Sequence, residues 1–155
     1  MKPIGIIHTG YSKLQNMPIQ PVSANRSPGR IVLEEAFLEG LTDLEGFSHL
    51  FLLYRFHRSD GYRLRVKPFL DDREHGVFAT RAPRRPNPLG LSIVKLVAIR
   101  DNLIEFEGAD MLDGTPLLDI KPYVPQFDRI DQASSGWLQA TNGEIQGKRS
   151  DNRFI

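Results

Sequence analysis

Residues 91–106 read LSIVKLVAIRDNLIEF: two apolar runs, Leu91 to Ile99 and Leu103 to Phe106, flank Asp101-Asn102. A two-residue polar connection between such runs predicts a β-hairpin. Upstream, Phe47 to Phe56 (FSHLFLLYRF) is the most apolar segment and reads as a central strand buried on both faces. Gly76 to Thr80 reads as a short strand leading into Arg81, and Leu117 to Ile120 as a last buried strand after the Asp113-Gly114 turn. Near the start, Pro3 to Thr9 and Ile31 to Phe37 add two more strands, with Leu33-Glu34-Glu35-Ala36 also open to a helical reading, and Leu41 to Gly46 one helical turn closed by glycine. Residues 61 to 74 form a long charged excursion. Several short strands punctuated by Gly, Pro and Asp, with few helices, predict a mainly β protein: a barrel or a strongly curved sheet. That domain spans residues 1–130. Residues 131–155, with sparse apolar anchors such as Trp137 and Leu138, read as an appended C-terminal tail, a short helix or a docking element for a partner.

The 155 residues suit one core, and 40% hydrophobic with 25% charged residues argues against disorder. The chain has no cysteine, which excludes disulfides, thiolate metal sites and cysteine nucleophiles. No apolar run approaches the roughly 20 residues that cross a bilayer, and Pro3 and His8 interrupt any signal-peptide core. The expectation is a soluble, cytoplasmic protein. No nucleotide-binding glycine loop or nucleophile elbow is present, and His8, His49, His57 and His75 lack metal-ligand spacing, so no metal is expected. Charge is uneven: residues 55–100 hold eleven Lys/Arg against four acids, a net +7 in a chain of net +1. One basic stretch on a near-neutral chain points to a localised anionic partner.

Chemistry concentrates in two places. In GVFATRAPRRPNPLGLS (76–92), Pro83, Pro86 and Pro88 stiffen the backbone and pre-position Asn87. Gly90 leaves room for a ligand or another backbone, and Arg81, Arg84 and Arg85 offer planar forks for carboxylate or phosphate. In DMLDGTPLLDIKPY (110–123), Asp110 and Asp113 bracket the exposed-looking Met111 and Leu112 and suit ribose hydroxyls or an amine, although a plain turn is the cheaper explanation. Asp119 alternates with Leu118 and Ile120 and reads as a buried strut paired with Lys121 or an arginine. His57 ends the central strand, where polar groups line a cleft.

These two motifs, with FSHLFLLYRFH (47–57), resemble the TsaA-like family typified by the tRNA methyltransferase TrmO, over roughly residues 3–128. The resemblance implies a compact β-barrel, a homodimer, S-adenosyl-L-methionine as cofactor, and N6-methylation of threonylcarbamoyladenosine beside the tRNA anticodon. Carried over by motif, cofactor contacts fall on Pro18, Gln20, His57, Arg58, Arg81, Leu91, Asp110, Met111, Leu112 and Asp113. The family's early Pro-Arg-Gln appears here as Pro18-Ile19-Gln20, without its arginine. Bacterial members continue into a further C-terminal domain, whereas this chain ends at Ile155, similar to shorter archaeal-type members. On this reading Arg63, Arg65, Arg84 and Arg85 track tRNA phosphates, Asn87 joins the substrate-binding set, and His57 relays the departing proton. Two rivals keep part of the pattern: a non-catalytic S-adenosylmethionine-binding regulator, and an RNA-binding barrel without cofactor.

Overall fold

A computed structural model describes residues 1–24 and 26–154. Six strands close into an antiparallel barrel. In chain order they are β1 (Gly5–Thr9), β2 (Pro28–Leu33), β3 (His49–Arg55), β6 (Leu89–Arg100), β7 (Leu103–Glu107) and β8 (Thr115–Pro122). Around the barrel the order is β1-β2-β7-β6-β3-β8, and β8 returns to β1. Two short strands outside it, β4 (Arg65–Val66) and β5 (His75–Gly76), pair with each other. Closure leaves no bare strand edge, and a core filled by side chains from every strand holds it. Ile7, Ile31, Leu50, Leu52, Ile104 and Leu117 are fully buried there. Among the described residues, no helix is long and apolar enough to cross a membrane.

The hairpin expected at Asp101-Asn102 joins β6 to β7, with Arg100 facing Leu103. Asp101 takes φ 52°, the left-handed conformation that so tight a reversal needs.

Four expectations are corrected. The central strand is not buried on both faces: Leu50, Leu52 and Tyr54 point inward, while His49, Phe51 and Leu53 are only half-buried. A closed barrel has one dry face, and Tyr123 partly covers the other, its ring 5.7 Å from that of Phe51. Residues 31–37 are strand only to Leu33; a 3-10 segment, Glu35–Leu41, follows. Residues 76–80 are no strand beyond Gly76, because the chain turns into a 3-10 helix at Val77–Ala79. Local partners explain this turn: the Thr80 hydroxyl donates to the Val77 carbonyl at 2.9 Å, and Arg85 Nη1 donates to the same carbonyl at 3.0 Å and to that of Thr80 at 2.8 Å.

Asp119 is the fourth. It pairs with Lys121 as expected, at 2.9 Å, but on the surface rather than in the core. The register between β3 and β8 slips at Leu53/Tyr54, so Leu53 faces Asp119 while Tyr54 faces Leu117. Leu118 is the extra residue of a bulge, and it reverses the alternation that would otherwise turn Asp119 inward.

Gly90 is required by packing inside the barrel. It faces Tyr54 across the β3–β6 ladder, and a Cβ there would lie 2.2 Å from the Tyr54 ring. The close neighbour of its Cα is therefore an aromatic side chain, and Gly90 also borders the cavity described below. Gly90→Ala is expected to destabilise the protein by about 1–3 kcal/mol through overpacking, read as a lower melting temperature with the far-UV spectrum unchanged.

Candidate functional site

Where β3 and β6 leave the barrel, the loop before Pro21, the 3-10 turn and the segment after β7 meet around a cavity of about 320 Å3. Of the ten residues expected to hold a cofactor, nine border it: Pro18, Gln20, His57, Arg58, Arg81, Leu91, Asp110, Met111 and Leu112. Four distant stretches of chain therefore converge. Arg81 Nη1 donates to Gln20 Oε1 at 2.6 Å, which joins the basic motif to the early loop across 61 residues. Ile19, standing where the family has arginine, also lines the cavity.

Asp110 sits on a polar path into the barrel. Ser92, turned inward on β6, donates its hydroxyl to Asp110 Oδ1 at 2.7 Å, and its oxygen lies 3.0 Å from the Tyr54 hydroxyl. Burial pushes the Asp110 carboxyl up to about 7, against the opposing effects of the Ser92 bond and the Arg81 charge. Burial likewise raises the Tyr54 phenol above its ordinary range, helped by Asp110. Sequence reasoning passed over Tyr54 and Ser92. Their signal was legible in retrospect, as two polar residues at inward positions of otherwise apolar strands, each of which must find a partner.

His57 Nδ1 lies 3.4 Å from the Thr115 hydroxyl. Burial, followed by the charges of Arg58 and Arg55, lowers its pKa, so the imidazole is neutral near pH 7. Arg58 donates to the Ser12 carbonyl at 3.3 Å. Met111 and Leu112 are buried rather than exposed and form an apolar part of the cavity. Asp113 is the one expected contact outside the lining. It accepts from the Thr9 backbone N–H at 3.1 Å and lies 3.1 Å from His8 Nδ1, and these bonds hold its carboxyl below the usual range.

The residues expected on tRNA phosphates are spread more widely. Arg63 and Arg65 are exposed, and Arg65 Nε lies 3.6 Å from Glu74. Arg84 is half-buried and its carbonyl accepts from the Arg63 N–H at 3.2 Å. Arg85 borders the cavity but commits Nη1 to backbone carbonyls, and Asn87 is exposed on the proline-stiffened loop. Nearby acids neutralise part of the basic stretch: Lys67 meets Asp72 at 3.2 Å and Arg73 meets Asp71 at 3.6 Å. Among the described residues Arg55, Arg58, Arg63 and Arg81 enter no ion pair. Of these, Arg58 and Arg81 keep positive charge at the cavity itself.

The C-terminal segment is a wall of this site. Ser150, Asp151 and Phe154 border the cavity. Ser150 anchors them: its N–H donates to the Met17 carbonyl and its hydroxyl to the Leu14 carbonyl, at 2.9 and 2.6 Å. Its carbonyl and hydroxyl oxygens accept from Asn16 and Met17 N–H groups. The tail therefore braces the loop that carries Pro18 and Gln20. Nothing local in SDNRF predicts this, because every partner lies more than 130 residues away.

A small-molecule site needs a concave, mostly apolar space with a few placed polar groups. Leu91, Met111 and Leu112 supply the first, while the Arg81 fork and the Asp110 carboxylate supply opposite charges for a zwitterionic ligand. These donor types fit S-adenosylmethionine, which carries a carboxylate, an ammonium, a sulfonium and an adenosine.

Comparison with known proteins identifies the family and agrees with the barrel fold. The family model described as the tRNA-methyltransferase O N-terminal domain matches residues 6–129. A probable S-adenosyl-L-methionine-binding protein of Pyrococcus abyssi is 46% identical over 99% of this chain and 84% of its own length. The tRNA (adenine(37)-N6)-methyltransferase of Rattus norvegicus is 35% identical over 82% of this chain, which spans only 31% of that protein. The crystal structure of TrmO from Pseudomonas aeruginosa superposes with a TM-score of 0.74 at 38% identity, covering 88% of this chain and 60% of that one. A six-stranded barrel with this cavity, matched by the family model over most of its length, establishes that the chain belongs to the tRNA-methyltransferase O N-terminal domain family.

Proposed function

We propose that the protein is an S-adenosylmethionine-dependent methyltransferase that modifies the N6 nitrogen of threonylcarbamoyladenosine beside the tRNA anticodon. The observation that carries this reading is the convergence of Arg81, Gln20, His57 and Asp110 on one cavity. S-adenosylmethionine, when bound, supplies a methyl group made electrophilic by its sulfonium. Chemistry of this kind depends chiefly on aligning donor and acceptor, so the protein's task is positioning. Arg81, steadied by Gln20, presents a fork to a carboxylate of the cofactor or of the threonyl group. Asp110 engages polar edges of the nucleoside, between the apolar surfaces of Leu91 and Leu112. Neutral His57 can hold the proton that leaves the acceptor nitrogen, at a ring nitrogen.

The basic groups at the mouth meet the tRNA backbone, and binding accordingly weakens with salt. The exposed apolar Val97, at 54% on the part of β6 that borders neither cavity, supports a homodimer there. A tRNA substrate supports a cytoplasmic location.

The Pyrococcus abyssi relative is named only for binding, so a non-catalytic role is the reading to separate. Labelled methyl groups should pass from S-adenosylmethionine to threonylcarbamoylated tRNA and not to tRNA lacking that modification. No incorporation at saturating cofactor, with binding intact, would leave a binding protein only.

A further inference from the structure

Beside the cofactor cavity lies a second, larger groove of about 950 Å3, and the two share Arg81, Gln20, Thr80 and Pro83 as a common wall. Its other side is built by Phe78 on the 3-10 turn and by Trp137 and Leu138 of the tail. Phe78 is 75% exposed, yet the turn that carries it is fixed from two directions. Below, Arg85 Nη1 donates to the carbonyls of Val77 and Thr80, and its guanidinium lies 5.8 Å from the Phe78 ring centre. From the tail, Trp137 Nε1 donates to the Ala79 carbonyl at 2.8 Å, while its indole stacks on His75 at 4.3 Å. His75 is itself held by Asp71 at 2.9 Å. The backbone that carries this exposed ring is held in place, so less entropy remains to be lost when a flat ligand stacks on it.

Resting on the methyltransferase reading, we infer that this groove receives the acceptor nucleotide of tRNA, its purine flipped out of the anticodon loop and stacked on Phe78. Methyl transfer requires the acceptor nitrogen within about 3–3.5 Å of the methyl group, and this groove directly adjoins the cofactor cavity, with Arg81, Gln20, Thr80 and Pro83 lining both. A base already in a loop is extruded at small cost, and aromatic platforms bind it through its face. Arg26 adds positive charge along the groove for a flanking phosphate, while Lys95 is already paired with Glu107 at 3.3 Å. Trp137 is a positioning residue, acting through Ala79.

The test uses the full chain and an anticodon stem-loop RNA carrying 2-aminopurine at the position beside the anticodon, whose emission falls when the base stacks on an aromatic ring. Wild-type protein should quench it on binding. Phe78→Ala should weaken RNA binding about tenfold, the loss of one base stack, and abolish the quench, whereas Phe78→Tyr should retain both. Calorimetry should find the S-adenosylmethionine affinity of Phe78→Ala unchanged, since Phe78 does not border that cavity. Equal quenching by wild type and Phe78→Ala overturns the groove assignment alone, and so does a parallel loss of cofactor affinity. If wild-type protein binds S-adenosylmethionine but not a stem-loop carrying threonylcarbamoyladenosine at that position, the tRNA reading falls and the groove with it.

Discussion

Asp110→Asn is expected to stabilise the protein above pH 7 while weakening its hold on S-adenosylmethionine. Burial raises the Asp110 carboxyl to about 7, against about 3.9 in an unfolded chain. The folded protein therefore carries a proton that the unfolded chain has released between those values, and stability falls as pH rises from about 4 to about 7. Above pH 7 the folded state bears a desolvated carboxylate at a cost of roughly 2–4 kcal/mol. Asparagine keeps an acceptor for the Ser92 hydroxyl, which donates at 2.7 Å, and removes the charge. At pH 8 the melting temperature of Asp110→Asn should exceed that of wild type by about 5–10 °C, and at pH 4 the two should nearly coincide. Cofactor affinity should behave in the opposite sense. In wild type it should rise as the carboxylate ionises through pH 7, because the ligand's ammonium and sulfonium are positive; in the variant it should be lower and flat. Equal stability of the two proteins at both pH values would show the carboxylate to be solvated after all. A stabilising change that damages binding is the mark of a residue kept for its site.

Arg81→Ala should lower S-adenosylmethionine affinity about 10- to 100-fold by calorimetry, the scale of a charge-assisted hydrogen bond. The side chain is exposed and its side-chain hydrogen bond runs to Gln20, so the fold should hold and the melting temperature should change little. Arg81→Lys should recover only part of the loss, because a point charge cannot reproduce a planar fork that meets Gln20 and a carboxylate together. Unchanged affinity in Arg81→Ala would remove Arg81 from the site.

Much of this architecture could be read from short stretches. The hairpin at Asp101-Asn102 follows from turn chemistry, and the mainly β class follows from short apolar runs punctuated by Gly, Pro and Asp. Where the reading failed, a non-local partner decided. The bulge at Leu118 depends on how β8 meets β3, and without it Asp119 would face the core. The strand expected over 76–80 becomes a 3-10 turn because Arg85 and Thr80 capture the Val77 carbonyl before any neighbouring strand can.

The site divides along the same line. Arginine, aspartate and proline in two dense motifs identified the groups capable of holding a charged nucleoside, since side-chain chemistry belongs to the residue itself. Their meeting belongs to the barrel. Closing six strands brings positions 20, 81 and 110 to one rim. Packing of the tail against the 14–18 loop then turns an unremarkable Ser-Asp-Asn-Arg-Phe into a wall. The sequence by itself determined which chemistry is available; the three-dimensional closure decided where it acts, because contacts across more than 100 residues depend on barrel closure and leave no periodic trace in the chain.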